Sequence, residues 1–256
     1  MIGAVTVANA AERTLCALHV YRPTRNAYQR AFNRAHWRDR AALRELLRPF
    51  VPRGGFVFDV GANRGRLSEL FLELGARVVA VEANPLLAAR IKRCYGRAVT
   101  VEPVALGASD GTVSLHIGQR DGHSTVSSQW LETVNGDYRF VGTVEVPQTT
   151  LSELIARHGK PDFVKIDVEG YEPEVLAGLN APVPALSFEF QTAALEIAGS
   201  CLGRLEALGM RSFAFARADD RSLRQPAWVD AKTIRTQLAE LAAASPRSYG
   251  DVYARN

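Results

Sequence analysis

Ten residues, FVFDVGANRG at 56–65, constrain the fold of this chain more tightly than any other stretch. An apolar run from Phe56 to Val60 ends in a glycine turn. The turn leads at once into a segment with Leu67, Leu70, Phe71 and Leu74 at i, i+3, i+4 and i+7. That periodicity is helical with one buried face, and Gly75 suits the left-handed residue just past a helix end. Strand, glycine turn and helix in immediate succession begin a βαβ unit, which is built on a parallel sheet.

The rest of the chain repeats the rhythm. Arg77 to Glu82 reads as a second strand, and Asn84-Pro85 opens the next helix with an N-cap oxygen followed by proline at the first helical position. Leu87, Ile91 and Cys94 line its inner side. Residues 98–106 and 112–117 are strand-like and flank Asp110-Gly111, a signal for a tight hairpin. Residues 118–142, rich in Gly, Ser, Asp and Asn, read as one long loop, a length that usually serves function. Thr150 and Glu153 match a capping box, 162–166 reads as a buried strand, and Pro173 begins a helix ending near Gly178. A strand at 184–190, a helix around 193–208, a strand at 211–217, an irregular basic stretch and a final strand near 251–253 follow. Upstream, Ala27 to Phe50 is helical in pattern, with Leu43, Leu46, Leu47 and Phe50 in one stripe, until Pro52-Arg53-Gly54-Gly55 breaks it. The expectation is a Rossmann-like α/β fold with helices on both faces of the sheet at 55–256, preceded by an N-terminal helical extension at 1–54.

Composition bears on partners and compartment. No apolar run approaches the roughly 18 residues that span a bilayer, and the start MIGAVTVANAAER lacks the pattern of a secretory signal, so a cytoplasmic chain without a membrane span is expected. Cys16, Cys94 and Cys201 are odd in number and far apart, which points to reduced, mostly buried thiols. Residues 1–55 hold ten arginines against Glu12, Asp39 and Glu45, a net of about +7 in a chain whose total is +4. These arginines alternate with alanine and leucine at helical spacing, which suits a solvated helix face, with anion binding as the alternative.

The chemistry collects at strand ends, where open α/β sheets bind their ligands. Gly61 and Gly65 allow backbone and helix to approach a nucleotide-like cofactor closely. Asn63 stands where a dinucleotide fingerprint would place its second glycine, which disfavours a nicotinamide or flavin and so a dehydrogenase. Glu82, at the end of the second strand, is placed to accept both hydroxyls of a ribose; the plainer alternative is that it caps the helix after Asn84. Asp59 is a cofactor-facing candidate, or a strand-end acid bonded to loop amides. In KIDVEGYEPEVLAGL at 165–179, Asp167 and Glu169 are the catalytic candidates, to accept a hydroxyl proton, orient a substrate or hold a divalent cation, with Lys165 as an ion-pair partner. His123 is a further candidate base, because imidazole titrates near neutral pH. Glu189 interrupts the apolar strand SFEF and therefore needs a partner or a cleft to face. The other histidines show no metal-ligand spacing, so a catalytic zinc is not expected.

FVFDVGANRG, VVAVEANP at 78–85, TLSELIARHGKP at 150–161, DFVKIDVEGYEPEVLAGL at 162–179, SFEF at 187–190 and GDVYA at 250–254 occur in one order, and together they resemble the FkbM-type methyltransferase family over roughly 55–256. The resemblance implies a seven-stranded methyltransferase sheet, S-adenosylmethionine as methyl donor, and O-methylation of a hydroxyl on a small molecule or glycan. It places cofactor binding around Gly61, Asn63 and Glu82. A noncatalytic S-adenosylmethionine-binding protein is the alternative of a different class, which Asp167 and Glu169 argue against. A nucleic-acid methyltransferase is disfavoured, since neither an N-P-P-[YFW] motif nor a basic stripe with stacking aromatics is present.

Overall fold

The structure, a computed structural model, describes residues 12, 14, 16, 24, 33–119, 124–133, 139–225 and 227–256. In chain order its elements are α1 (Arg34–Leu47), β1 (Phe56–Val60), α2 (Arg66–Glu73), β2 (Arg77–Val81), α3 (Pro85–Tyr95), β3 (Val99–Glu102), β4 (Ala105–Leu106), β5 (Gly111–Gly118) and α4 (Ser128–Thr133). They continue with β6 (Phe140–Thr149), α5 (Leu151–His158), β7 (Phe163–Ile166), α6 (Glu172–Ala177), β8 (Ala185–Gln191), α7 (Leu195–Ala207), β9 (Ser212–Arg217), α8 (Ala231–Ala244) and β10 (Tyr249–Arg255).

A seven-stranded sheet runs in the order β3-β2-β1-β7-β8-β10-β9, parallel except where β10 inserts antiparallel between β8 and β9. The order reverses between β1 and β7, which makes that edge the switch point of the Rossmann-like fold. β1 is buried along its whole length, as its unbroken FVFDV run requires of a strand covered on both faces. One core cluster packs α5, α7 and α8 against β7, β8 and β10. The other packs α2 and α3 with Leu46, Leu47, Phe50 and Val51 against β1 and β2. The caps that the sequence announces are in place: Asn84 Oδ1 accepts from Leu86 N at 3.0 Å, Thr150 Oγ1 accepts from Glu153 N at 3.1 Å, and Gly75 takes φ 88°.

Four expectations are corrected. No hairpin closes at Asp110-Gly111: β4 and β5 each pair with β6, parallel and antiparallel, in a separate three-stranded sheet β4-β6-β5. The proposed loop at 118–142 contains α4 and the start of β6, whose alternating exposure escaped a reading tuned to buried strands. The irregular basic stretch contains α8, capped by Asp230 accepting from Thr233 N at 2.7 Å; Ile234, Leu238 and Leu241 carry the helical spacing that would have revealed it. Finally, Cys16 and Cys94 form a disulfide across a sequence separation of 78, leaving Cys201 the free, buried cysteine. Sequence spacing is blind to this pairing because the fold alone brings residue 16 against α3. The bond also runs counter to the reasoning behind a reducing compartment, since disulfides persist mainly in oxidising ones. Among the described residues no helix is long and apolar enough to cross a membrane.

Candidate functional site

The glycine turn after β1 is held from two sides. Gly61 N and Ala62 N donate to Val81 O of β2 at 2.9 and 3.0 Å, and Asp167 N, just beyond β7, donates to Val60 O at 3.0 Å. Gly61 has φ 77°, and a Cβ there would stand 1.7 Å from the Asp167 carbonyl oxygen, so only glycine fits. Gly65, at φ 74°, lies under the Tyr95 ring, which a Cβ would approach to 2.8 Å. Asn63 also takes a left-handed conformation, φ 52°, and its backbone N–H thereby reaches Glu82 Oε2 at 2.6 Å. Glu82 Oε1 accepts from Asn84 N at 2.8 Å. Two backbone amides thus aim a buried carboxylate, one at each of its oxygens. Glu82 organises the entry to α3, as the plainer reading of the sequence has it, and it also lines the cleft.

That cleft is a cavity of about 300 Å³ at the carboxyl ends of β1, β2 and β7. Its apolar side is Val81, Ala83, Val104, Ala105 and Leu106; its polar side includes Asn63, Glu82, Asp167, Glu169 and Glu189. A slot between small aliphatic groups beside a carboxylate has the shape and chemistry to hold a nucleoside. Gly61, Asn63 and Glu82 all line it. Gly65 supports the turn from beneath, and Asp59 is likewise outside the lining. Asp59 is buried under the turn and accepts a hydrogen bond from Ser68 Oγ of α2. Burial raises its carboxyl to about 6 against the Ser68 hydrogen bond and the Lys165 charge. Asp59 thus braces β1 against α2 and stands outside the lining of this cavity.

At the opposite end three acids meet. Asp167, Glu169 and Glu189 each offer a carboxylate oxygen, and these atoms lie within 4.8 Å of one another, a donor set suited to a hard divalent cation. Burial and the charges of Asp167, Glu169 and Glu172 hold Glu189 well above the usual carboxylate range. Lys165 is buried behind them, 2.9 Å from Asp251 Oδ1 and 3.4 Å from Asp167 Oδ2. Burial alone would lower its ammonium, but Asp167 and Asp251 more than offset it and raise it. The turn carrying the acids is strained at Glu169, a side-chain residue at φ 53°, while Gly170 takes φ 86° without steric cost. Glu172, which the sequence reading passed over, pins that turn by accepting from Val168 N at 3.0 Å and Gly170 N at 3.4 Å. Its signal was available, a carboxylate just after a glycine turn and inside the first turn of α6.

The segment between β5 and β6 closes the acid side. Thr125 Oγ1 donates to Glu169 O at 2.7 Å, and Trp130 packs on Gly170, where a Cβ would stand 2.7 Å from the tryptophan Cβ. Ser124, Thr125 and Val126 line the cavity. His123 lies outside the described residues. His158 Nε2 donates to Glu102 Oε1 at 2.6 Å, and His116 Nδ1 lies 3.3 Å from Thr143 Oγ1, both apart from the cavity lining.

The family model for the methyltransferase FkbM domain matches residues 59–216. Hexuronic acid methyltransferase AglP of Haloferax volcanii is 34% identical over 140 residues, 52% of this chain and 53% of that protein. Ubiquinone biosynthesis O-methyltransferase of Methylocella silvestris is 34% identical over 76 residues, 30% of each chain. The chain thus spans about half the length of the first of these curated relatives and less of the second. Among solved structures, a TehB-like SAM-dependent methyltransferase from Corynebacterium glutamicum aligns with a TM-score of 0.43 and 14% identity, covering 90% of this chain and 100% of that one.

Proposed function

Because the chain belongs to the methyltransferase FkbM domain family, we propose that it transfers a methyl group from S-adenosylmethionine to a hydroxyl oxygen of a small molecule or glycan. The observation that carries this reading is the Glu82 carboxylate, aimed by Asn63 N and Asn84 N into one end of a cavity whose other end is Asp167. Glu82 takes the ribose hydroxyls, the slot at Ala83, Val104, Ala105 and Leu106 takes the base, and Gly61 and Asn63 give the backbone its close approach. The cofactor supplies a methyl carbon activated by its sulfonium. The protein's task is alignment, placing the acceptor oxygen about 3–3.5 Å from that carbon on the line opposite the sulfur. The proton of the acceptor hydroxyl would pass to Asp167, the acid beside Lys165 with the more exposed side chain, as the hydroxyl takes up the methyl group that the sulfonium would release. Glu169 orients the acceptor beside it. The Haloferax relative, a hexuronic acid methyltransferase, supports a sugar acceptor.

A calorimetric titration with S-adenosylhomocysteine, with NADH as control and Glu82→Ala as the second sample, tests the cofactor before any acceptor is known. Binding of the thioether with no binding of NADH is expected, weakened on the order of 10–100-fold in Glu82→Ala, as loss of charged hydrogen bonds implies. Preference for NADH, or equal affinity in the variant, overturns the reading. The carboxylates of Asp167, Glu169 and Glu189 would also suit a divalent cation. Loss of turnover on chelation, restored by Mg²⁺, would assign them that task in place of proton acceptance.

A further inference from the structure

We propose that a second cavity, of about 320 Å³ on the other side of Asp167, holds the acceptor and is built for a sugar acid, with a ring hydroxyl at Asp167 and the carboxylate at Arg66. The inference rests on the transferase reading and names the substrate class of that same site. Asp167 lines both cavities, so a hydroxyl held by its carboxylate faces the first while the ring stays in the second.

The second cavity lies under α1, on the face of the sheet where Lys165 of β7 and Tyr253 of β10 stand in line across Ser187 of β8. Lys165, Asp251 and Tyr253 form its floor, and Leu43 and Leu47 of α1 its roof. Tyr253 is fully buried, yet its hydroxyl has no hydrogen-bond partner among the described residues. An unpartnered buried phenol is costly by about 1–3 kcal/mol, and it lines a cavity large enough to supply the missing partner. Burial raises this phenol, so it stays a donor as well as an acceptor.

Charge selects among polyhydroxylated rings. Arg40 stands 3.0 Å from Glu73, although its buried Nε has no hydrogen-bond partner among the described residues, Arg221 is paired with Asp39 at 3.0 Å, and Lys165 with Asp251 and Asp167. Arg66, exposed and in the same lining as Asp167, has no ion pair among the described residues. A guanidinium recognises a carboxylate through two parallel hydrogen bonds, which a neutral sugar cannot offer. The cavity's size, at the small end of ligand pockets, fits one ring.

The test is a titration of D-glucuronate and of D-glucose into the full chain saturated with S-adenosylhomocysteine. Glucuronate is expected to bind at least about tenfold more tightly than glucose, the worth of one charge-assisted contact. Arg66→Gln should erase that preference, and Tyr253→Phe should weaken both sugars about threefold or more. Both variants should leave S-adenosylhomocysteine affinity within about twofold. Equal affinity for the two sugars, no glucuronate binding, or an unchanged preference in Arg66→Gln overturns the proposal. So does a loss of S-adenosylhomocysteine affinity in Arg66→Gln, which would give the cavity to the cofactor. If the wild-type chain does not bind S-adenosylhomocysteine, the transferase reading falls first and takes this one with it. Cofactor binding without sugar discrimination removes the second cavity's role alone.

Discussion

The two ends of the main cavity are made in different ways. The Glu82 end is local: β1, the glycine turn, α2 and β2 follow one another directly, and backbone amides within that stretch fix the carboxylate. The acid end is assembled from distant parts, with Asp167 and Glu169 after β7, Glu189 on β8, and Thr125 from the segment joining β5 and β6. A local end is rigid because its geometry is written into consecutive φ values and short hydrogen bonds. An assembled end depends on tertiary packing, which is where strain and perturbed acids collect.

The sharpest division between the two ends is catalytic. Asp167→Asn keeps the shape of the acid end and removes its proton acceptor. Turnover should fall by about 10²–10⁴-fold while S-adenosylhomocysteine affinity changes by less than about threefold. Single-turnover kinetics beside a binding titration checks this, and an equal loss in both would mean that the ends do not divide the work. Gly61→Ala tests whether they are mechanically separate. Its Cβ would meet the Asp167 carbonyl at 1.7 Å, and its φ of 77° is itself unfavourable for alanine. Both effects together should cost on the order of 3 kcal/mol in denaturant unfolding and abolish cofactor binding in what remains folded. A variant with wild-type stability would show that the turn can move away from Asp167.

The same division explains how much could be read from sequence. The local end was legible nearly residue by residue, because Phe56–Val60, Gly61, Gly75 and Asn84 act through their own neighbours. The acids at 167 and 169 were legible as candidates, since a strand end can be located from its apolar run. The packing of Asp59 against α2 was not legible, because a run buried on both faces gives no sign of which face meets α2. The β4-β6-β5 sheet and the Cys16–Cys94 bond were hidden because each depends on partners far away in the chain. Helix α8 was a different failure, since Asp230, Ile234, Leu238 and Leu241 carried the pattern locally.

Glu172 gives the acid end a pH signature. Burial pushes its carboxyl to about 7 from an ordinary 4.5, against the backbone hydrogen bonds that favour ionisation. Between those values the folded chain holds a proton that the unfolded chain has released, so this group's contribution to stability falls as pH rises through the window. Glu172→Gln still offers an acceptor to Val168 N and Gly170 N but does not titrate. Relative to wild type it should gain stability from pH 4.5 to pH 8, by on the order of 1–3 kcal/mol. Denaturant midpoints at both pH values give the difference, and parallel pH profiles would mean that Glu172 ionises normally.

The smallest expected effect probes how the β5–β6 segment supports the acids. Thr125 is buried, and its hydroxyl donates to Glu169 O while accepting from Ser127 N at 2.9 Å. Thr125→Val keeps the volume and leaves both partners unsatisfied, at a cost of about 1–2 kcal/mol. Because the lost bonds hold the strained Glu169 in place, turnover should fall further than stability alone accounts for. Affinity for S-adenosylhomocysteine, fixed mainly at the Glu82 end, should fall less than turnover. If cofactor affinity drops as far as turnover does, the segment braces the whole cavity and the two ends act as one unit.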